Sequence, residues 1–246
     1  MSQVLAEKVA LVTGGSRGIG AALVKRLAHD GAAVAFTYTA SADKARSIVS
    51  GLESRGPKAL AIRADSADAN AVKGAVAQTV NEFGRLDILV NNAGILIRGT
   101  VDQYDLGDFE RMFAVNVRAV FVGIQAALPH LGQGSRIITT GSVVADRSGF
   151  PGASVYSMTK GAIASMTRGL ARDLGPRGIT VNTVQPGPTD TDITDDESIR
   201  AMVRPLMALG RTGRDAEIAS LVAYLAGPES SFITGAALTI DGGYLA

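Results

Sequence analysis

The sequence predicts a doubly wound α/β fold, one parallel sheet of about seven strands with helices on both faces. Three observations lead there. Short apolar runs rich in β-branched residues alternate along the chain with longer amphipathic stretches. The short runs are apolar at consecutive positions, as strands covered on both faces are. No Pro/Ser-rich linker, composition shift or repeat interrupts the 246 residues, so 1–246 reads as one domain.

The elements follow in order. A strand is expected over 9–13. Ile19, Ala22, Leu23 and Leu27 then recur at helical spacing, and the pattern stops near Gly31. His29 sits at that helix's end, where a cation suits the dipole. Strand 33–38, helix 42–54, strand 59–64, helix 69–83 and strand 88–91 continue the alternation. One long helix is expected over 106–131, with the apolar stripe 109–121 as a buried packing face and His130, after Pro129, at another helix end. Strand 136–140, helix 154–174, strand 180–184, helix 215–226 and strand 237–240 complete the sheet.

Composition excludes several functions. With 24 Lys and Arg against 23 Asp and Glu, and no long basic run, nucleic acid and anionic membrane are poor partners. The absence of cysteine removes disulfides, thiolate zinc sites and thiol catalysis. Neither of the two histidines lies in a context suited to a Ser-His-Asp hydrolase. Asp190, Asp192, Asp195, Asp196 and Glu197 form an acidic run without a nearby histidine; it reads as a solvated lid or helix start, and no metal is expected. No run is long and apolar enough to span a bilayer and the start lacks a signal-peptide pattern, so the simplest placement is cytoplasmic.

In doubly wound sheets ligands bind beyond the carboxyl ends of the strands. The loops there, 14–20, 91–94, 141–144 and 186–192, hold the unusual residues, and the last continues to 213. Segment 187–213 is therefore the expected mobile lid. Thr13-Gly14-Gly15-Ser16-Arg17-Gly18-Ile19-Gly20 follows a strand and opens a helix, as a Rossmann-type phosphate loop does. Gly14, Ser16, Arg17, Gly18, Ile19 and Gly20 are the expected pyrophosphate contacts. The glycine spacing is not G-x-G-x-x-G, and no Gly-Lys-Ser/Thr follows, which excludes a Walker loop; a ligand-free Gly-rich turn is the alternative. An NAD site would place a carboxylate about 20 residues on. Here Tyr38, Thr39 and Ser41 are neutral and the first acid is Asp43. Arg17, Ser41 and Lys44 offer charge and hydrogen bonds to a 2′-phosphate, which favours NADP over NAD. Dual use of NAD stays open.

Tyr156 and Lys160 stand at i and i+4, one helical face. Ser142 follows the strand end Thr139-Thr140-Gly141, and Asn116 interrupts an apolar helix, where an unpaired amide is costly. Singly, each has a bland reading: a solvated helix surface, a turn serine, a satisfied structural amide.

Together these residues resemble the short-chain dehydrogenase/reductase family over nearly the whole chain. The resemblance rests on 13–20, Asn91-Asn92-Ala93-Gly94, Asn116, Ser142, Tyr156 with Lys160, and Pro186-Gly187. Within the family the chain is most similar to bacterial 3-oxoacyl-acyl-carrier-protein reductases and related carbonyl reductases, through Arg177-Gly178-Ile179-Thr180-Val181-Asn182, Thr234-Gly235 and Asp241-Gly242-Gly243. The resemblance implies NADP(H)-dependent, reversible reduction of a ketone or 3-oxoacyl-type carbonyl to a secondary alcohol. It implies that Ser142 hydrogen-bonds the carbonyl, Tyr156 transfers the proton, Lys160 holds the nicotinamide ribose and favours the phenolate, and Asn116 positions water. It also implies that Asp65 and Ser66 meet the adenine, that Asn92, Ala93 and Gly94 lie beside the ribose, and that Pro186, Gly187 and Thr189 lie by the nicotinamide. A homotetramer is implied, with helix 106–131 and the Tyr156 helix at a dimer interface. One departure concerns the substrate: Arg177 matches a basic carrier-docking position, but Leu131-Gly132-Gln133-Gly134-Ser135 is neutral where that group is commonly basic. A small free ketone is therefore expected. The stretches 185–192 and 225–235 also resemble a bacterial member described as binding cyclic di-GMP, so a nucleotide-binding regulator is the alternative.

Overall fold

The computed structural model describes residues 3–54, 56–191 and 197–246. Strand β1 (Val9–Val12) leads to helix α1 (Gly18–His29), and β2 (Ala33–Tyr38), α2 (Ala42–Glu53), β3 (Ala59–Arg63), α3 (Ala69–Phe83) and β4 (Ile88–Asn91) follow. Helix α4 (Leu106–Phe113) passes through a π-helical turn at Ala114–Arg118 into α5 (Ala119–Ala127). Then come β5 (Arg136–Thr140), α6 (Ser154–Leu174) and β6 (Thr180–Pro186). The last elements are β7 (Thr189–Asp190), α7 (Glu197–Val203), β8 (Gly213–Arg214), α8 (Asp215–Ala226) and β9 (Ala237–Ile240).

Seven strands form one parallel sheet in the order β3-β2-β1-β4-β5-β6-β9. The chain winds outward from β1 to β3, then returns to place β4 on the other side of β1. This reversal opens a crevice at the carboxyl ends of β1 and β4. The strand period of two divides the core between the faces. Ala10 and Val12 pack with Leu23, Leu27 and Val222 on the face of α1 and α8. Leu11 packs with Val76, Ile124 and Ile163 on the face of α3, α5 and α6. Asp68 caps α3 by accepting from the Asn70 N–H at 2.8 Å, and Gly84 ends it in the left-handed conformation.

Two expectations need correction. The strands are not all covered on both faces: β3 and β9 are the sheet's edges, and Ala237 and Thr239 of β9 are exposed. The long helix expected over 106–131 is broken by the π turn and ends at Ala127, because Pro129 has no N–H to continue it. Phe109 and Phe113 stack at 4.7 Å, but Phe121 is 51% exposed and so lies outside the packing face that the stripe suggested.

The segment 187–213 is joined at its base. Thr189 and Asp190 pair with Gly213 and Arg214, and the Gly213 N–H donates to the Pro188 carbonyl at 2.9 Å. Within it Asp190 pairs with Arg200 at 3.2 Å and Glu197 with Arg204 at 2.9 Å. Asp192, Asp195 and Asp196 of the acidic run, and that part of the expected lid, lie outside the described residues. No helix among the described residues is long and apolar enough to cross a membrane.

Candidate active site

A cavity of about 730 Å³ opens at the carboxyl ends of the central strands. Gly14, Ser16, Arg17, Gly18, Ile19 and Gly20 line it after β1, and Tyr38, Thr39 and Ser41 after β2. Asp65 and Ser66 follow β3; Asn92, Ala93 and Gly94 follow β4. Ser142, Tyr156 and Lys160 line it from the β5–α6 side, and Pro186, Gly187 and Thr189 from the end of β6. Asn116 lies behind this wall, and Lys44 does not line the cavity.

The phosphate loop is held from below by residues that the sequence did not single out. Thr37, inside β2, accepts the Gly14 N–H at its hydroxyl (2.9 Å) and the Gly15 N–H at its carbonyl (2.8 Å). The Thr13 hydroxyl accepts from the Asn92 and Ala93 N–H groups at 2.9 and 3.0 Å. Asn92 Nδ2 returns hydrogen bonds to the Thr13 and Gly14 carbonyls. The Asn92 amide is therefore committed to the loop. A Cβ on Gly20 would sit 2.0 Å from the Gly14 carbonyl oxygen, so helix and loop can close only on a glycine. Helix α1 begins at Gly18 with no side-chain cap, and its first N–H groups are open to an anion. These features fit a dinucleotide pyrophosphate.

At the end of β2, the first carboxylate, Asp43, is exposed and ion-paired with Arg46 outside the cavity. Asp65 accepts from the Ala67 N–H at 2.9 Å, closing its own turn. Arg17 is exposed and lines the cavity with Tyr38, Thr39 and Ser41; among the described residues its guanidinium makes no ion pair. This corner suits a 2′-phosphate.

Helix α6 places Tyr156 in its first turn and Lys160 one turn later, with Nζ 5.6 Å from the phenol ring centroid. Lys160 Nζ donates to the Thr140 carbonyl at 2.9 Å. Burial pushes the Tyr156 phenol up to about 12, while a hydrogen bond with Ser142 pulls it the other way. Burial lowers the Lys160 ammonium to about 8. At neutral pH Tyr156 holds its proton, as an acid must.

Asn116 is buried in the π turn. Its Oδ1 accepts the Ile95 N–H at 2.9 Å, and its Nδ2 donates to the Ile95 carbonyl at 2.9 Å and to the Thr159 hydroxyl at 3.2 Å. Thr159 in turn donates to the Tyr156 carbonyl at 2.7 Å. One amide thus ties the β4 loop to the helix that carries Tyr156 and Lys160. These bonds use both Nδ2 protons and one lone pair of Oδ1. No sequence signal marked Ile95, Thr140 or Thr159, whose importance comes from their partners.

The positions compared with a carrier-docking site lie apart from the cavity. The turn from Leu131 to Ser135 precedes β5, and Arg177 precedes β6, so both lie at the amino ends of these strands, opposite the cavity. The Arg177 guanidinium donates to the Leu128 and Leu131 carbonyls at 2.7 and 2.8 Å.

The chain matches a family model described as enoyl-(acyl carrier protein) reductase over residues 14–245. It is 45% identical, over 96% of its length and 97% of the relative's, to the cyclic-di-GMP-binding biofilm dispersal mediator protein of Escherichia coli strain K12. Among solved structures, a short-chain dehydrogenase/reductase from Serratia marcescens BCRC 10948 is 58% identical, with TM-score 0.96 and coverage of 98% and 99% of the two chains. A short-chain dehydrogenase from Burkholderia cenocepacia J2315, in complex with NADP, is 53% identical at the same TM-score and coverage.

Proposed function

The chain belongs to the short-chain dehydrogenase/reductase family, and from that premise we propose that it is an NADP(H)-dependent carbonyl reductase. The observation that carries this reading is the convergence of Ser142, Tyr156 and Lys160 on the cavity that the phosphate loop enters. The cofactor is NADP(H), the ligand of the Burkholderia structure; here the open start of α1 would hold its pyrophosphate and Arg17 its 2′-phosphate. When bound, the nicotinamide supplies the hydride.

Every other step falls to the chain's own groups. Ser142 Oγ donates to the substrate carbonyl and fixes its lone pairs beside Tyr156. As the hydride reaches the carbonyl carbon, negative charge grows on oxygen and the Tyr156 hydroxyl gives up its proton there, leaving a secondary alcohol and a phenolate. The Lys160 ammonium stabilises that phenolate while it awaits a proton from solvent. Asn116 acts as a positioning residue, through Ile95 and Thr159. In the reverse direction the phenolate is the base.

A free ketone is the substrate in this reading, supported by the neutral turn and the engaged Arg177 at the amino ends of the strands. The test is NADPH oxidation over a panel of ketones and 3-oxoesters. Tyr156→Phe should lower kcat by roughly two to four orders of magnitude with NADPH binding retained. A variant with wild-type turnover would overturn the proton-donor role. The relative named for cyclic di-GMP supports a second reading, a nucleotide-binding regulator on this scaffold. Tight cyclic di-GMP binding without turnover of any carbonyl or alcohol would favour it.

A further inference from the structure

Two cations in the cavity play no part in the chemistry above. Arg98, three residues beyond Ile95, lines the cavity with its guanidinium 4.6 Å over the Phe150 ring. Phe150 belongs to the loop between Ser142 and Tyr156, and the Gly99 N–H donates to the Gly152 carbonyl at 3.1 Å, so Arg98 is held at the catalytic lip. Arg111, on α4 one turn before Val115, lines the same cavity. Among the described residues neither guanidinium makes a hydrogen bond or an ion pair. Asp190, a carboxylate that lines the same cavity, is paired with Arg200 at 3.2 Å and accepts from the Thr212 hydroxyl at 2.8 Å. The cofactor's own anions are served elsewhere, at α1 and Arg17.

With no anion paired to either guanidinium among the described residues, this part of the cavity attracts one, and ring stacking leaves the edge N–H donors of Arg98 directed to a carboxylate. We propose that the substrate is an oxo acid, a ketone whose carboxylate is received by Arg98 and Arg111 while its carbonyl meets Ser142 and Tyr156. The proposal rests on the carbonyl-reductase reading and names its substrate class. The carboxylate is a spectator in the reaction, and hydride and proton add across the ketone as above.

The test compares kcat/KM for levulinate, and for an oxo acid with a longer spacer, with that for the corresponding methyl esters at saturating NADPH. One member of each pair carries the charge and the other does not. At least one acid should exceed its ester by about tenfold or more, and the ratio should shrink as ionic strength rises. In the double variant Arg98→Met with Arg111→Met the ratio should fall to about one. The ester rate and NADPH binding of that variant separate a folded enzyme from a misfolded one. Equal kcat/KM for every acid and its ester, or a preference that survives the double variant, would overturn the oxo-acid assignment and leave the reductase reading intact. Failure of every ketone to oxidise NADPH would overturn the reductase reading and this assignment with it.

Discussion

Lys160 is the residue on which the chemistry is most exposed to pH. Its ammonium is buried against the Thr140 carbonyl and lowered to about 8, while Tyr156 beside it is raised to about 12. A lowered lysine loses its proton first as pH rises, so Lys160 is charged below about 8 and Tyr156 stays protonated well beyond. The profile of kcat/KM for NADPH in ketone reduction should therefore be flat near neutrality and fall above an apparent pKa of about 8. A profile that stayed level to about pH 10 would show that Lys160 does not need its charge. Arg17 decides cofactor choice at the same scale. A charge-assisted hydrogen bond contributes about 1.5–3 kcal/mol, less where water screens it. Arg17→Ala should raise KM for NADPH about tenfold and hardly alter that for NADH. Equal losses with both cofactors would remove the 2′-phosphate from the argument. The sequence alone made Arg17 a candidate, because a phosphate loop followed by a strand end without a carboxylate has a readable charge pattern. Thr37 was not legible. A threonine within a strand carries no mark of the two loop N–H groups it will accept.

At the scale of elements, the break between α4 and α5 matters most. A π turn widens the helix by one residue and leaves a backbone that continuous α-helix would not permit. In this chain it places Asn116 against both polar groups of Ile95. Asn116→Ala would strand that N–H and carbonyl in a part-buried site, and an unsatisfied buried group costs about 1–3 kcal/mol. Urea unfolding should show a loss in that range, accompanied by a lower kcat, since Thr159 and the turn bearing Tyr156 lose the same tether. Wild-type stability with lowered kcat would instead give Asn116 a direct role. Periodicity found the helix but not the π turn, because the local pattern of apolar residues stays helical on either side. The amide in an apolar stretch was the sole hint.

For the whole molecule, the surface raises the question of assembly. Phe121 on α5 and Met158 on α6 are exposed on the two helices that family resemblance places at a dimer interface. Phe232 and Tyr224 are exposed as well, and β9 is an open edge strand. Edge strands and apolar patches of this kind are usually covered. Light scattering on the purified protein should give four times the mass of one chain. Replacing Phe121 and Met158 by Glu should reduce that mass, and a wild-type monomer would contradict the tetramer.

What the sequence determined by itself is what short-range physics controls. Runs of β-branched residues set the strands, 3.6-residue spacing set the helices, and their alternation required a parallel sheet with crossovers. The glycines of the phosphate loop and the i, i+4 pair of Tyr156 and Lys160 were legible for the same reason, since their geometry is local. The tertiary structure alone decided which distant residues meet. It brought Thr37 under Gly14, Ile95 onto Asn116, and Arg98 onto Phe150 at the catalytic lip. It also sent the neutral turn before β5 to the amino ends of the strands, away from the cavity. These contacts are set by strand order and packing, which join segments far apart in the chain and leave no periodic trace in it.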